Sequence, residues 1–181
     1  MDVGSSYMEY RLNKFKKMKK NNGGKNRNQI FYAGSASNVI KGDEEYKFVE
    51  KLKIKLKPKG IKVIYRPHPN NLPSGFKNVS FESDSISVYN QISNCDCLVG
   101  ISTTLMYEAA LLSFKVCGLN LFDYDLTKDS WMKSFLKAKD IFSNENDLLI
   151  FLLNGIYKKN ETSLPHFEVE FNKFLNEEKI I

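Results

Sequence analysis

Cysteine is scarce in this chain: three residues in 181, two of them close together at Cys95 and Cys97. Three cysteines give neither an even disulfide framework nor paired metal-ligand spacing, so a disulfide-stapled scaffold and a zinc module are both excluded. A reduced, cytosolic setting is the simple reading. The only two histidines, His68 and His166, are too far apart in sequence to suggest a metal site. No apolar run approaches the length of a membrane span, and the N-terminus has no apolar stretch resembling a secretory signal. Two glycine motifs are missing as well. Without Gly-x-Gly-x-x-Gly there is no dinucleotide fingerprint, and without Gly-x-Ser-x-Gly there is no nucleophile elbow. No internal repeat is visible.

Positive charge is also missing from most of the chain. Residues 1–28 hold eight Lys and Arg against Asp2 and Glu9, which accounts for the whole net charge of +6. The remainder is neutral, so a basic nucleic-acid-binding face is not expected in the globular part, and nucleic acid is not expected as a partner. Within the arm, Leu12, Phe15 and Met18 recur at three-residue spacing among lysines, the pattern of a short basic amphipathic helix. The arm reads as a linker; peripheral contact with an anionic membrane surface is the alternative.

What is present is a chain of ordinary folded composition, 42% hydrophobic and 13% aromatic, long enough for one domain with a sizeable core. Strands are expected at 29–33, 61–65, 79–81, 96–101 and 115–121, with a short last one at Ile141. Between them come helices at 43–57, 85–92, 104–113 and 146–157. The first carries Asp43, Glu44 and Glu45 in its opening turn and Tyr46, Val49, Leu52 and Leu56 as its inner stripe. Residues 123–134 read as an irregular acidic-aromatic stretch around Trp131, and the tail after Leu164 as a further helix. The division is a basic segment 1–28, a nucleotide-binding domain 29–160 and a tail 161–181. Alternating strands and helices predict an α/β fold, a Rossmann-like parallel sheet with helices on both faces.

Two polar clusters follow apolar strands directly: Tyr65-Arg66-Pro67-His68-Pro69, and Gly100-Ile101-Ser102-Thr103-Thr104-Leu105-Met106-Tyr107-Glu108. Open α/β sheets bind ligands at strand carboxyl ends. Arg66 and His68 supply N–H donors, and the two prolines beside His68 fix its backbone. Ser102, Thr103 and Thr104 supply hydroxyls where a helix begins, a place that favours phosphate. One of the three is expected as an N-cap whatever the function. Gly34 and Ser35 form a small turn that lets backbone approach a ligand closely. Glu108 is a carboxylate on a mostly buried helix, for which ribose hydroxyls are a reasonable partner. Asp123 and Asp125 are weaker candidates, His166 reads as structural, and no complete catalytic set can be assembled.

The ordered pair of Arg-Pro-His-Pro after one strand and Gly-Ile-Ser-Thr-Thr before a helix with Glu resembles the C-terminal half of GT-B glycosyltransferases. The similarity is to bacterial surface-polysaccharide enzymes, the sialyl- and polysialyltransferases with a His-Pro motif and the CDP-glycerol glycerophosphotransferases, over roughly residues 31–122. It implies half of a GT-B fold that binds a nucleotide-activated sugar or CDP-glycerol, with no further cofactor, in capsule or related polysaccharide synthesis. It implies that His68, Ser102 and Thr103 contact donor phosphate, that Glu108 lies near the nucleotide sugar, and that Gly34 and Ser35 face the cleft. The general base of such enzymes belongs to an N-terminal acceptor domain to which nothing here corresponds. A truncated, split or remnant enzyme is therefore expected, inactive alone, cytoplasmic or peripheral at the inner membrane face, with a separate acceptor-binding chain as partner. A UDP-sugar 2-epimerase-like half and a non-catalytic nucleotide-binding or assembly subunit remain the alternatives.

Overall fold

The computed structural model describes Asn13 and residues 28–76, 85–112, 114–128, 130–133 and 135–155. The basic arm before Asn28 (Asn13 apart), the strand expected at 79–81 and the tail after Leu164 lie outside the described residues. Five strands form the sheet: β1 (Gln29–Ala33), β2 (Lys62–Arg66), β3 (Cys97–Gly100), β4 (Val116–Leu119) and β5 (Ile141–Phe142). Their spatial order is β2-β1-β3-β4-β5, and every pairing is parallel. The chain runs from β1 to β2 on one side, then crosses back to β3 on the other. The order therefore reverses at the β1/β3 boundary, the topological switch point of an open α/β sheet.

Both faces of the sheet are covered, which is why its strands read as near-continuous apolar runs. On one face Ile30, Tyr32, Val63, Val99 and Cys117 pack against α1 (Gly42–Leu56) and α5 (Glu145–Gly155) through Phe48, Val49, Leu52, Leu56, Leu148 and Leu152. On the other, Phe31, Ala33, Leu98 and Val116 meet α2 (Ser85–Ser93), α3 (Thr104–Leu111) and the short α4 (Ser130–Lys133) through Tyr89, Ile92, Met106, Ala109 and Met132. This is the Rossmann-like α/β architecture. Each fully buried aliphatic side chain contributes roughly 1.5–3 kcal/mol. That outweighs exposed pairs such as Lys53–Glu50, 2.7 Å apart, which are worth a few tenths.

Differences from the expected elements are local. The inner stripe of α1 is Glu45, Phe48, Val49, Leu52 and Leu56, while Tyr46 is only half-buried. Residues 126–128 and 130–133 are not irregular: a 3-10 turn (Leu126–Lys128) precedes α4. Leu126 and Met132 explain this, since both are buried against the sheet and need a helical turn to reach it together. At the domain's start, Asn28 already belongs to the sheet's hydrogen bonding, its carbonyl accepting the Lys62 N–H at 2.8 Å. Cys95, Cys97 and Cys117 are buried free thiols.

At the carboxyl edge the register places Ala33 beside both Arg66 and Gly100, and Gly100 beside Gly118. The three central positions of this row carry at most a methyl group, and the turns after β1 and β3 begin there.

Candidate functional site

Because Ala33 pairs with Arg66 on one side and Gly100 on the other, three polar turns start from adjacent strands around the switch point. The first two are fastened together. The Gly34 N–H donates to the Arg66 carbonyl at 2.8 Å. A Cβ at Gly34 would lie 2.6 Å from the His68 nitrogen and 2.7 Å from the Pro67 Cα. The sequence suggests that this glycine makes room for a ligand; in the structure that room is filled by the Arg66-Pro67-His68 backbone. Asn71, 7% exposed, completes the junction, its Nδ2 donating to the carbonyls of Ser35 and Ile40, both at 2.8 Å. Asp43 holds the outer end of the same loop through the N–H and hydroxyl of Ser74, each at 2.6 Å. These bonds keep the exposed Asp43 carboxyl below its ordinary range.

Ser35 faces inward. It is fully buried, with its carbonyl bound to Asn71 and its N–H donated to both carboxyl oxygens of Glu45 at 3.1 Å. Glu45 is itself fully buried and also accepts from the hydroxyls of Tyr32 at 3.4 Å and Tyr65 at 3.5 Å. Burial pushes its carboxyl up to about 7, against the opposing pull of the hydrogen bonds from Ser35, Tyr32 and Tyr65. Burial, then the neighbouring carboxyl group, raises both tyrosines well above their usual value, so both remain O–H donors. The Ser35 hydroxyl lies beside this carboxyl, and its buried Oγ has no hydrogen-bond partner among the described residues. Sequence reasoning missed Glu45 because an acid in a helix's first turn already has an explanation. The available signal was spacing: Glu45, Val49, Leu52 and Leu56 fall on one helical face.

His68 is half-exposed, and its Nδ1 accepts the Asn70 N–H at 3.2 Å. Partial burial lowers its pKa, so at neutral pH the imidazole is neutral and carries its proton on Nε2, a donor available to a ligand. Burial also lowers the Arg66 guanidinium from its ordinary value; it remains a cation.

On the other side of the switch point, Thr103 is the N-cap of α3. Its Oγ1 accepts the Leu105 N–H at 3.4 Å, and its carbonyl accepts from Met106 at 3.0 Å. Ser102 accepts from the Tyr124 hydroxyl at 3.4 Å, and Thr104 is exposed. These bonds leave the Thr103 and Thr104 N–H groups as first-turn donors of α3. Glu108, 2% exposed, accepts the Tyr89 hydroxyl at 2.6 Å, so its contact runs to α2 beneath the site. Asp125 pairs with Lys128 at 3.6 Å, and Asp123 is exposed after β4.

The arrangement thus places neutral and cationic N–H groups and a helix N-terminus along one edge of the sheet: the chemistry of anion binding. Among the described residues no group of three or more His, Cys, Asp or Glu is placed to hold a metal ion. A cavity of ≈ 350 Å³ lined by Lys53, Lys57, Lys62 and their neighbours opens at the start of β2, the opposite end of the sheet from these turns. Comparison with known proteins finds no matching family model, curated protein or solved structure.

Proposed function

We propose that this domain binds the nucleotide of an activated donor, a nucleotide sugar or CDP-glycerol, as the donor half of a GT-B-type surface-polysaccharide transferase. One observation carries the reading: polar turns leave three adjacent strands at the switch point, with His68 on one side and the α3 N-terminus on the other. Diphosphate oxygens are the group that such donors fit best. His68 Nε2–H and Arg66 serve one phosphate. The Thr103 and Thr104 N–H groups, with the Ser102 hydroxyl, serve the other. Ser35 and Glu45 shape the floor, and Glu108 supports α3 from below.

The alternative of binding without catalysis is favoured by the state of the carboxyl groups. Among the described residues Glu45 and Glu108 are buried on tyrosines and Asp125 faces Lys128, so none of these three is an exposed, uncommitted base. Transfer needs an oriented acceptor and a base within hydrogen-bond reach. A separate acceptor-binding chain supplies both in this reading, and the domain works in the cytoplasm, with the arm lying against the inner membrane face as the alternative to a free linker. No helix among the described residues is long and apolar enough to cross a membrane.

The test is a thermal-shift panel of CMP, CDP, UDP, GDP and their sugars. A ligand that prefers the folded state raises the melting temperature by mass action, by about 2.7 kcal/mol of stability at a hundredfold excess over Kd. One base series should stand out. Free sugars should do nothing. A flat panel would sink the proposal.

A further inference from the structure

An acid in a helix's first turn is ordinarily exposed, favouring the helix dipole from the solvent side. Asp43 and Glu44 are of that kind and Glu45 is not. We infer that Glu45 is the positioning residue of the switch-point turn: its carboxyl group, buried between α1, β1 and β2, sets both the conformation of Gly34 and Ser35 and the electrostatic field beneath a bound nucleotide's phosphates. The inference rests on the nucleotide-binding reading above and deepens it.

The geometry is that of a hub. A single carboxyl group is bonded to β1 through Tyr32, to β2 through Tyr65 and to the turn through the Ser35 N–H. The turn cannot shift without stranding a buried N–H and a buried carboxyl oxygen, each costly to leave unmade. The unpartnered Ser35 Oγ fits this role. A neutral carboxyl group must donate one O–H, and Ser35 Oγ is the acceptor beside it that no other group uses; an ionised one takes the Ser35 O–H as a donor instead.

The surrounding charges leave the carboxyl group uncompensated. β1 contributes Tyr32 and β2 contributes Tyr65, both protonated. Arg66 alternates to the face of Ile64, which packs in the opposite layer. On α1 itself, Asp43 is turned to Ser74, Lys47 acts on Asp43, and Tyr46 stacks on Tyr65. In the loop after β2, Asn71 binds carbonyls and His68 binds Asn70. Among the described residues no Lys, Arg or His pairs with Glu45. When it ionises, a negative charge appears under a site for phosphates, within the domain where salt screens weakly. The neutral form therefore binds nucleotide more tightly, and affinity falls as pH rises through about 7. His68 titrates lower, below its ordinary 6.5, and is separable.

The full chain without ligand provides the first arm of the test. The Ser35 amide shift and the Glu45 carboxyl carbon should titrate together near neutrality, and the Ser35 transition should vanish in Glu45→Gln. A Ser35 amide blind to pH, or a Glu45 that titrates as an ordinary carboxylate, overturns the inference. The second arm is calorimetry with a nucleotide diphosphate sugar, whose diester phosphates keep their charge across neutral pH. Affinity should drop about tenfold across the transition in the wild type and stay level in Glu45→Gln; equal slopes overturn it. Should Glu45→Gln fail to fold, Tyr65→Phe removes one donor to the ionised form and should move the midpoint to higher pH. An unmoved midpoint overturns it as well. A wild-type chain that binds no nucleotide at any pH overturns the nucleotide-binding reading, and the Ser35 titration alone then decides whether Glu45 sets the turn.

Discussion

His68 is a donor by virtue of its neighbours. The Asn70 N–H occupies Nδ1, Pro67 and Pro69 fix the backbone, and partial burial disfavours the imidazolium. His68→Ala is expected to weaken nucleotide binding by roughly 1–3 kcal/mol, the scale of one hydrogen bond to a charged group, without changing the melting temperature of the free chain. Calorimetry that finds unchanged affinity would remove His68 from the site. Glu45 makes the opposite kind of prediction, one about stability. Its folded carboxyl titrates at about 7 against an ordinary 4.5, so the folded state binds the extra proton between these values. Its stabilising contribution is full below about 4.5 and is lost as pH rises through about 7, by at most roughly 3 kcal/mol. Urea unfolding across that window should show the wild type losing stability relative to Glu45→Gln. Parallel curves would show that the carboxyl group is solvated and ordinary.

Among the elements, the β1–α1 turn and the loop after β2 act as one unit because Asn71 donates to both Ser35 and Ile40. Asn71→Ala strands two buried carbonyls and should cost about 2–6 kcal/mol, at one to three per unsatisfied group; a loss below 1 kcal/mol in denaturant unfolding would mean that the turns hold without it. Much at this scale was legible beforehand. The helix expected at 43–57 is Gly42–Leu56, and the strand expected at 61–65 is Lys62–Arg66, because Lys-Pro-Lys-Gly and the apolar periodicity are local signals. The parallel sheet followed from their alternation. What stayed hidden are contacts between residues distant in sequence. Glu108 lies nineteen positions from Tyr89, and spacing within α3 says only that the carboxyl group is buried, not what answers it. Gly34 looks the same in sequence whether its missing side chain makes way for a ligand or for the Pro67 backbone. The helical turns at 126–128 and 130–133 are obscured in the sequence by polar neighbours, while Leu126 and Met132 are buried apolar anchors.

For the whole molecule, charge and fold are separable. The net charge of +6 belongs to the arm, whereas the sheet's hydrogen bonding begins at Asn28. Deleting residues 1–27 should therefore leave the melting temperature and nucleotide affinity unchanged. If the arm meets anionic lipid, the full chain will sediment with acidic vesicles and detach as salt rises, and the shortened chain will not sediment at all. The row of small residues at the carboxyl edge has a consequence for how the chain tolerates change. Gly100 lies within 2.9 Å of the Met106 sulfur and Gly118 within 2.6 Å of Leu126, measured from where a Cβ would stand. In a library of all single substitutions sorted for folded protein, this edge would emerge as a line of depleted positions, while the lysines at the other end varied freely. The end of the domain proposed to bind nucleotide could then be located from survival counts alone, with no ligand in the tube.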